Sequence, residues 1–167
     1  MATAEILSDL ITNTEASPRV MNNVCNEMGK ARIISGTFET TTSLDAADIV
    51  ALCRLPADAS VKSIKLYLDA LTSGAVDIGL YTGTVSTALT VADVDAYAAA
   101  VAIGGGADKA GLEVAFEARD IANINKKVYE DCADTAGEFS DYWLCMTVTT
   151  DLGAAATVSF VVTLACA

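Results

Sequence analysis

The strongest constraint on this chain is an alternation of apolar and polar residues that returns in one segment after another. In Lys62-Ser63-Ile64-Lys65-Leu66-Tyr67-Leu68-Asp69, Ile64, Leu66 and Leu68 share one face, while Ser63, Lys65, Tyr67 and Asp69 take the other. A period of two marks a half-buried strand, because successive side chains of an extended backbone leave opposite faces. The closing run Thr157-Val158-Ser159-Phe160-Val161-Val162-Thr163-Leu164 repeats it, with Val158, Phe160, Val162 and Leu164 inward. Thr157, Ser159, Thr163 and, as the exception, Val161 point outward.

The same signal places strands at residues 32–40, 48–55, 61–69, 75–82, 112–116, 139–150 and 154–165. Val76, Ile78 and Leu80 face inward in the fourth, with Asp77 and Tyr81 opposite; Tyr142, Leu144, Met146 and Val148 share a face in the sixth. Pro56-Ala57-Asp58-Ala59 and Ser73-Gly74 supply turn chemistry, and Asp151-Leu152-Gly153 reads as a hairpin connection. The expected fold is all-β: a mainly antiparallel, jelly-roll-like β-sandwich of about seven or eight strands.

Two short segments break the alternation. After Thr90 and Asp93, Val94, Tyr97, Ala98 and Val101 fall at i, i+3, i+4 and i+7 before Gly104-Gly105-Gly106, which predicts a helix over residues 90–102 stopped by glycine. Asp120 is placed to cap a second helix over residues 120–131, with Ile121, Ile124 and Val128 as its stripe. Residues 1–30 carry one weak apolar cluster, Ile6, Leu7, Leu10 and Ile11, and read as an extended N-terminal arm that gains order on a neighbour. Residues 31–167 form the sandwich domain.

At 167 residues the chain has room for one domain with a real core. Much of its 53% hydrophobic content is alanine, and no uncharged apolar run of 18 residues occurs, so a soluble protein outside the membrane is expected. The first residues lack a basic and then apolar leader, and the reading is that the chain stays where it is made. A formal charge of -12 repels phosphate backbones and argues against direct nucleic-acid binding.

Chemistry is sparsely signalled. The chain has no histidine, which removes the usual base of serine and cysteine triads and the commonest zinc partner. Cys25, Cys53, Cys132, Cys145 and Cys166 form an odd set without a C-x-x-C pair; Cys53 and Cys145 lie in strand patterns and read as small buried hydrophobes. Reduced thiols, no metal and no cofactor are expected. Asp93 with Asp95, or Glu113 with Glu117, are the carboxylate pairs an acid–base enzyme would use. A first helical turn for the former and a solvated strand face for the latter explain them better. Gly104-Gly105-Gly106 lacks the Lys-Ser/Thr of a phosphate loop, and Asp93-Val94-Asp95 lacks the glycine and distal glutamate of a calcium loop. Tyr142-Trp143, or Tyr67, offers the exposed ring a carbohydrate-binding module would need, although alternation buries one of the first two.

Four segments in order carry a resemblance: Asp48-Ile49-Val50-Ala51-Leu52-Cys53-Arg54-Leu55-Pro56 leading to Val61-Lys62-Ser63-Ile64, then Asp77-Ile78-Gly79-Leu80-Tyr81, then Asp93-Val94-Asp95-Ala96-Tyr97-Ala98, then residues 120–130. Together they resemble small structural proteins of tailed bacteriophages, of the capsid decoration or cement kind, over roughly residues 31–165. Where that pattern continues with a Leu-Trp-Glu-Leu-like stretch, this chain has Val128-Tyr129-Glu130-Asp131-Cys132. The resemblance implies a non-enzymatic virion protein on the capsid exterior, assembled in the host cytoplasm. Its implied partners are the major capsid protein and further copies of itself, a trimer being one such state. A tail, neck or fibre-base component would use the same sandwich.

Overall fold

The computed structural model describes residues 11–13, 16–18, 20–21, 30–40, 43–85 and 88–166. Eight strands follow in chain order: β1 (Lys30–Glu39), β2 (Ile49–Pro56), β3 (Ser60–Leu71), β4 (Ala75–Thr84), β5 (Ala88–Ala102), β6 (Gly106–Glu113), β7 (Asp141–Thr150) and β8 (Thr157–Cys166). They form two four-stranded sheets, β1-β8-β3-β6 and β2-β7-β4-β5, with every pairing antiparallel. Apart from β4 and β5, each strand is followed by one in the opposite sheet. That interleaving is the jelly-roll form of the sandwich expected from the alternation.

The inner faces are the predicted ones. Ile64, Leu66 and Leu68 of β3, Val76, Ile78 and Leu80 of β4, Tyr142, Leu144, Met146 and Val148 of β7, and Val158, Phe160, Val162 and Leu164 of β8 are all buried. Strands β8 and β7 each lie between two partners, which is why their alternation is the cleanest. Phe160 reaches sideways onto β1: a Cβ added at its cross-strand neighbour Gly36 would lie 2.7 Å from Phe160 Cζ. Glycine at position 36 leaves the space that the ring occupies.

Sheet changes are made by short corners that hydrogen-bond to one another. Ile103 N donates to Gly74 O (3.0 Å), Gly153 N to Ser73 O (3.4 Å) and Leu152 N to Leu44 O (3.0 Å). Four connections therefore meet at one end of the sandwich, with Leu152 buried among them. The Pro56 turn closes as expected, Ala59 N donating to Pro56 O at 3.1 Å.

Several expectations need correction. Residues 90–102 are not a helix but lie in β5, although their alanines favour a helix and Val94, Tyr97, Ala98 and Val101 have its spacing. Pairing with β4 overrides that propensity, and three register shifts along the pair put the adjacent Tyr97 and Ala98 both inward, which mimics a helical period. Gly104-Gly105-Gly106 consequently stops no helix. It is the corner from β5 to β6, where a Cβ on Gly104 would lie 2.5 Å from the Ser73 Cα. Asp151-Leu152-Gly153 is not a hairpin either, since β7 and β8 belong to different sheets. The strand expected at 112–116 lies earlier and ends at Glu113; Tyr81 is on the face opposite Leu80 as expected, its hydroxyl 2.6 Å from Thr147 Oγ1, but it is covered there and not exposed.

Helix content between 120 and 131 is split. Asp120 does cap, accepting from Ala122 N at 2.9 Å, but over a 3-10 turn (Ile121–Asn123); a separate helix α1 (Val128–Asp131) then begins. Ile121 is 64% exposed and Val128 fully buried, so no common stripe exists. The arm assigned to residues 1–30 lies mostly outside the described residues; Ile11, Val20 and Met21, which are described, are exposed.

Replacing Phe160 by Ala removes the largest inward side chain of β8 and its cover over Gly36. The expected loss is about 3 to 5 kcal/mol in urea denaturation. A loss below about 1 kcal/mol would show that the ring is not part of the core.

Candidate functional site

The most polar place in the interior is built by the connection between β6 and β7, residues 114–140. It folds back over the end of the sandwich opposite the glycine corners, Val128 N donating to Ala59 O (2.9 Å) and Val114 N to Ile64 O (2.8 Å). Within it, Arg119 and Asp131 face each other with side chains 3% and 2% exposed and 3.0 Å between Arg119 Nε and Asp131 Oδ1. That contact is an ion pair without hydrogen-bond alignment. The guanidinium donates to Val61 O at 3.0 Å and Asn123 O at 2.6 Å, and it lies 5.5 Å from the ring centres of both Tyr97 and Phe116. Tyr97 donates its hydroxyl to Asp131 Oδ2 at 3.0 Å. Beside it, Tyr142 donates to Asp134 Oδ2 at 2.8 Å, and the Cys132 thiol lies 3.4 Å from the same oxygen.

Burial pushes the Asp131 carboxyl up to about 6 against the opposing pull of Arg119, and pushes the fully enclosed Tyr97 hydroxyl well above its ordinary range. Perturbed groups of this kind often mark active sites. Here each of them is committed to a neighbour inside the protein, and the cluster joins β3, β5 and the 114–140 connection. Its chemistry is that of a clasp. Sequence reading passed over the pair because Arg119 sits in an irregular stretch and Asp131 at the end of a segment read only for its apolar stripe; the available signal was an arginine three residues after Phe116 in an acidic chain.

The sequence-predicted candidates are dispersed. Asp93 and Asp95 lie on β5 rather than in a helical turn, where Asp95 N donates to Asp93 Oδ1 at 3.3 Å and burial together with Asp95 raises the Asp93 carboxyl. Glu113 is exposed on the strand face as expected, and it accepts from Ile64 N at 2.9 Å, from Ala115 N at 3.1 Å and from the Ser63 hydroxyl, so it also ties the end of β6 to β3. Glu117 is exposed in the turn that follows. Trp143 is half-buried: its Nε1 donates to Gly83 O at 3.1 Å and Arg54, held by Asp141, sits 5.2 Å from its ring centre. One face of that ring is thus occupied. Tyr67 packs on Gly111, where a Cβ would come within 2.9 Å of the ring.

Among the described residues, no group of three or more His, Cys, Asp or Glu is placed to hold a metal ion. Cys53, Cys132 and Cys145 form no disulfide; burial pushes the thiols of Cys53 and Cys145 up to about 12 and that of Cys132 to about 11, which keeps them protonated and unreactive at neutral pH. The side chains of Cys25 and Cys166 lie outside the described residues. No described helix is long and apolar enough to cross a membrane.

The clasp makes two predictions. Arg119→Met alone strands a buried carboxylate and should cost about 3 to 5 kcal/mol, whereas Arg119→Met with Asp131→Leu should recover most of that loss in urea denaturation. Additive costs would show that the two charges are not coupled. The second concerns pH. Because the folded Asp131 value lies above the ordinary value of about 3.9, its contribution to stability is complete below that value and is lost as pH rises through about 6. Asp131→Asn should flatten the stability profile across that window, and a parallel profile in the two proteins would refute the assignment.

No protein-family model matches the chain, and no curated protein matches it in sequence. Chains of two phage capsids are among the solved structures that resemble it. A chain of the "Capsid of Ralstonia phage GP4" is 15% identical with a TM-score of 0.56, the match covering 84% of this chain and 88% of that one. A chain of the "Cyanophage Pam1 capsid asymmetric unit" is 16% identical with a TM-score of 0.49, covering 83% of this chain and 86% of that one. At this level of identity, the chain shares with the Ralstonia phage protein a fold that extends over most of both chains.

Proposed function

We propose that this chain is a non-enzymatic structural protein of a tailed-phage virion, a decoration or cement protein that binds the outer surface of the head. The observation that carries the reading is the shared fold with a chain of the Ralstonia phage GP4 capsid over 84% of this chain. Supporting it, the carboxylates an enzyme would use are separated on the sandwich or committed to backbone donors, and the polar interior is closed by its own partners. A carbohydrate-binding module is disfavoured by Arg54 over one face of Trp143 and by Gly111 under Tyr67.

The physical work of such a protein is linkage. If it binds assembled shell but not free subunits, it stabilises the assembly by mass action, at no cost in chemistry. The partner is the major capsid protein at junctions between its subunits, with residues 1–30 adding reach from a rigid sandwich. A compact body with buried ties suits that load.

Purified protein should co-sediment with intact, expanded particles and not with free capsid protein, and deletion of residues 1–30 should speed its dissociation while leaving the sandwich folded. Failure to co-sediment would refute the proposal. Labelling confined to the tail would transfer the chain to the neck, tail or fibre base.

A further inference from the structure

The end of the sandwich that carries the clasp also carries two adjoining surface cavities. One, of about 310 Å³, lies between the rings of Tyr129 and Phe139 over Ala57. The other, of about 260 Å³, is lined by Arg32, Arg54 and Asp141. Ser140 is a wall of both. Phe139 and Asp141, one in each cavity, are two residues apart, which is about 6 to 7 Å in extended backbone.

Each cavity holds its chemistry in a fixed place. Phe139 is 37% exposed, yet its ring stands edge-on to the buried Tyr142 with 5.6 Å between ring centres. An aromatic ring held in place at a concave surface is a ready anchor for a partner's apolar side chain. In the second cavity each sheet contributes one arginine. Arg54 is held by Asp141, whose Oδ1 accepts from both Nε and Nη2, and by Trp143, whose ring centre is 5.2 Å away. The second Asp141 oxygen accepts from the Ser140 hydroxyl at 3.0 Å, so both oxygens of that carboxylate are engaged. Arg32, exposed on β1, has no ion pair among the described residues. Two guanidiniums thus share a cavity with one carboxylate, and a positive charge is left over in a chain whose net charge is -12.

We propose that this double cavity is the docking site for an extended segment of a capsid subunit that carries an apolar side chain and, two residues along, a carboxylate. The apolar side chain fills the space between Tyr129 and Phe139, and the carboxylate meets Arg32 and Arg54. Alternate side chains of an extended ligand are spaced by about the same 6 to 7 Å that separates Phe139 from Asp141. A guanidinium fork pairs with a planar carboxylate through parallel bonds, so charge and shape together select Asp or Glu at that position of the segment. The capsid subunit as source rests on the functional proposal above; the chemistry of the groove does not.

Two measurements on the full chain test this. In co-sedimentation with intact particles, Arg32→Glu should raise the dissociation constant by about tenfold or more and Arg32→Lys by much less, and salt should weaken the wild type more than Arg32→Glu. Phe139→Ser should also weaken binding while urea denaturation shows the sandwich still folded. Without any capsid, the peptide acetyl-Gly-Leu-Gly-Glu-Gly-amide should shift the amide resonances of residues 139–141, and its Gln counterpart should not. Variants that bind particles as well as the wild type does, or Glu and Gln peptides that bind alike, would overturn this inference and leave the capsid reading standing. A wild type that does not bind particles would overturn the capsid subunit as partner. Self-association weakened by the same substitutions would overturn it too, giving the groove to a second copy.

Discussion

Two sheets, each apolar on one face, can hide those faces only against each other, and the rest of this structure follows from that contact. Because all but one of the connections between consecutive strands change sheets, β4 and β5 are the one pair of consecutive strands that lie side by side. β8, last in the chain, lies between β1 and β3, and β7 lies between β2 and β4. The closing strands therefore fill the centres of both sheets. The inward side chains of β7 and β8 are buried in the core, and a fold of this kind depends on non-local pairing.

That contact also explains which parts were legible. A strand with two partners and one buried face has its alternation enforced at each position, so β3, β4, β7 and β8 could be placed with their inward residues from the sequence alone. β5 could not. It is an edge strand rich in alanine, and the close approach of Gly79 to the Asp93 and Val94 backbone belongs to a bulged pairing that erases the two-residue period. β6 hides for a related reason: its Gly106-Ala107-Asp108-Lys109-Ala110-Gly111 half contains no large apolar residue. The corner at Asp151 was misread because turn residues report a change of direction and not the sheet to which the next strand goes.

The clasp was illegible for a different reason. Arg119 and Asp131 are twelve residues apart in the sequence without a periodic relation, and only the return of the 114–140 connection onto β3 and β5 brings them together. Once there, burial removes hydration from both charges, and their attraction offsets that cost only in part, as the upward displacement of Asp131 records. A buried pair of this kind contributes placement more than stability. It fixes where the connection lies, through the Val61 and Asn123 carbonyls that the guanidinium holds.

The two ends of the sandwich consequently solve different problems. At one end, small residues let backbones approach closely enough for the corners to hydrogen-bond directly, as Gly104 does against Ser73. At the other, a connection of some length has to be held down, and charge, aromatic rings and backbone carbonyls are used together. Neither end leaves an inward-facing polar group for chemistry on a substrate among the residues discussed. What a body so closed can still offer is its exterior, and the exterior is uneven: at the clasp end an exposed ring adjoins an arginine that has no ion pair among the described residues.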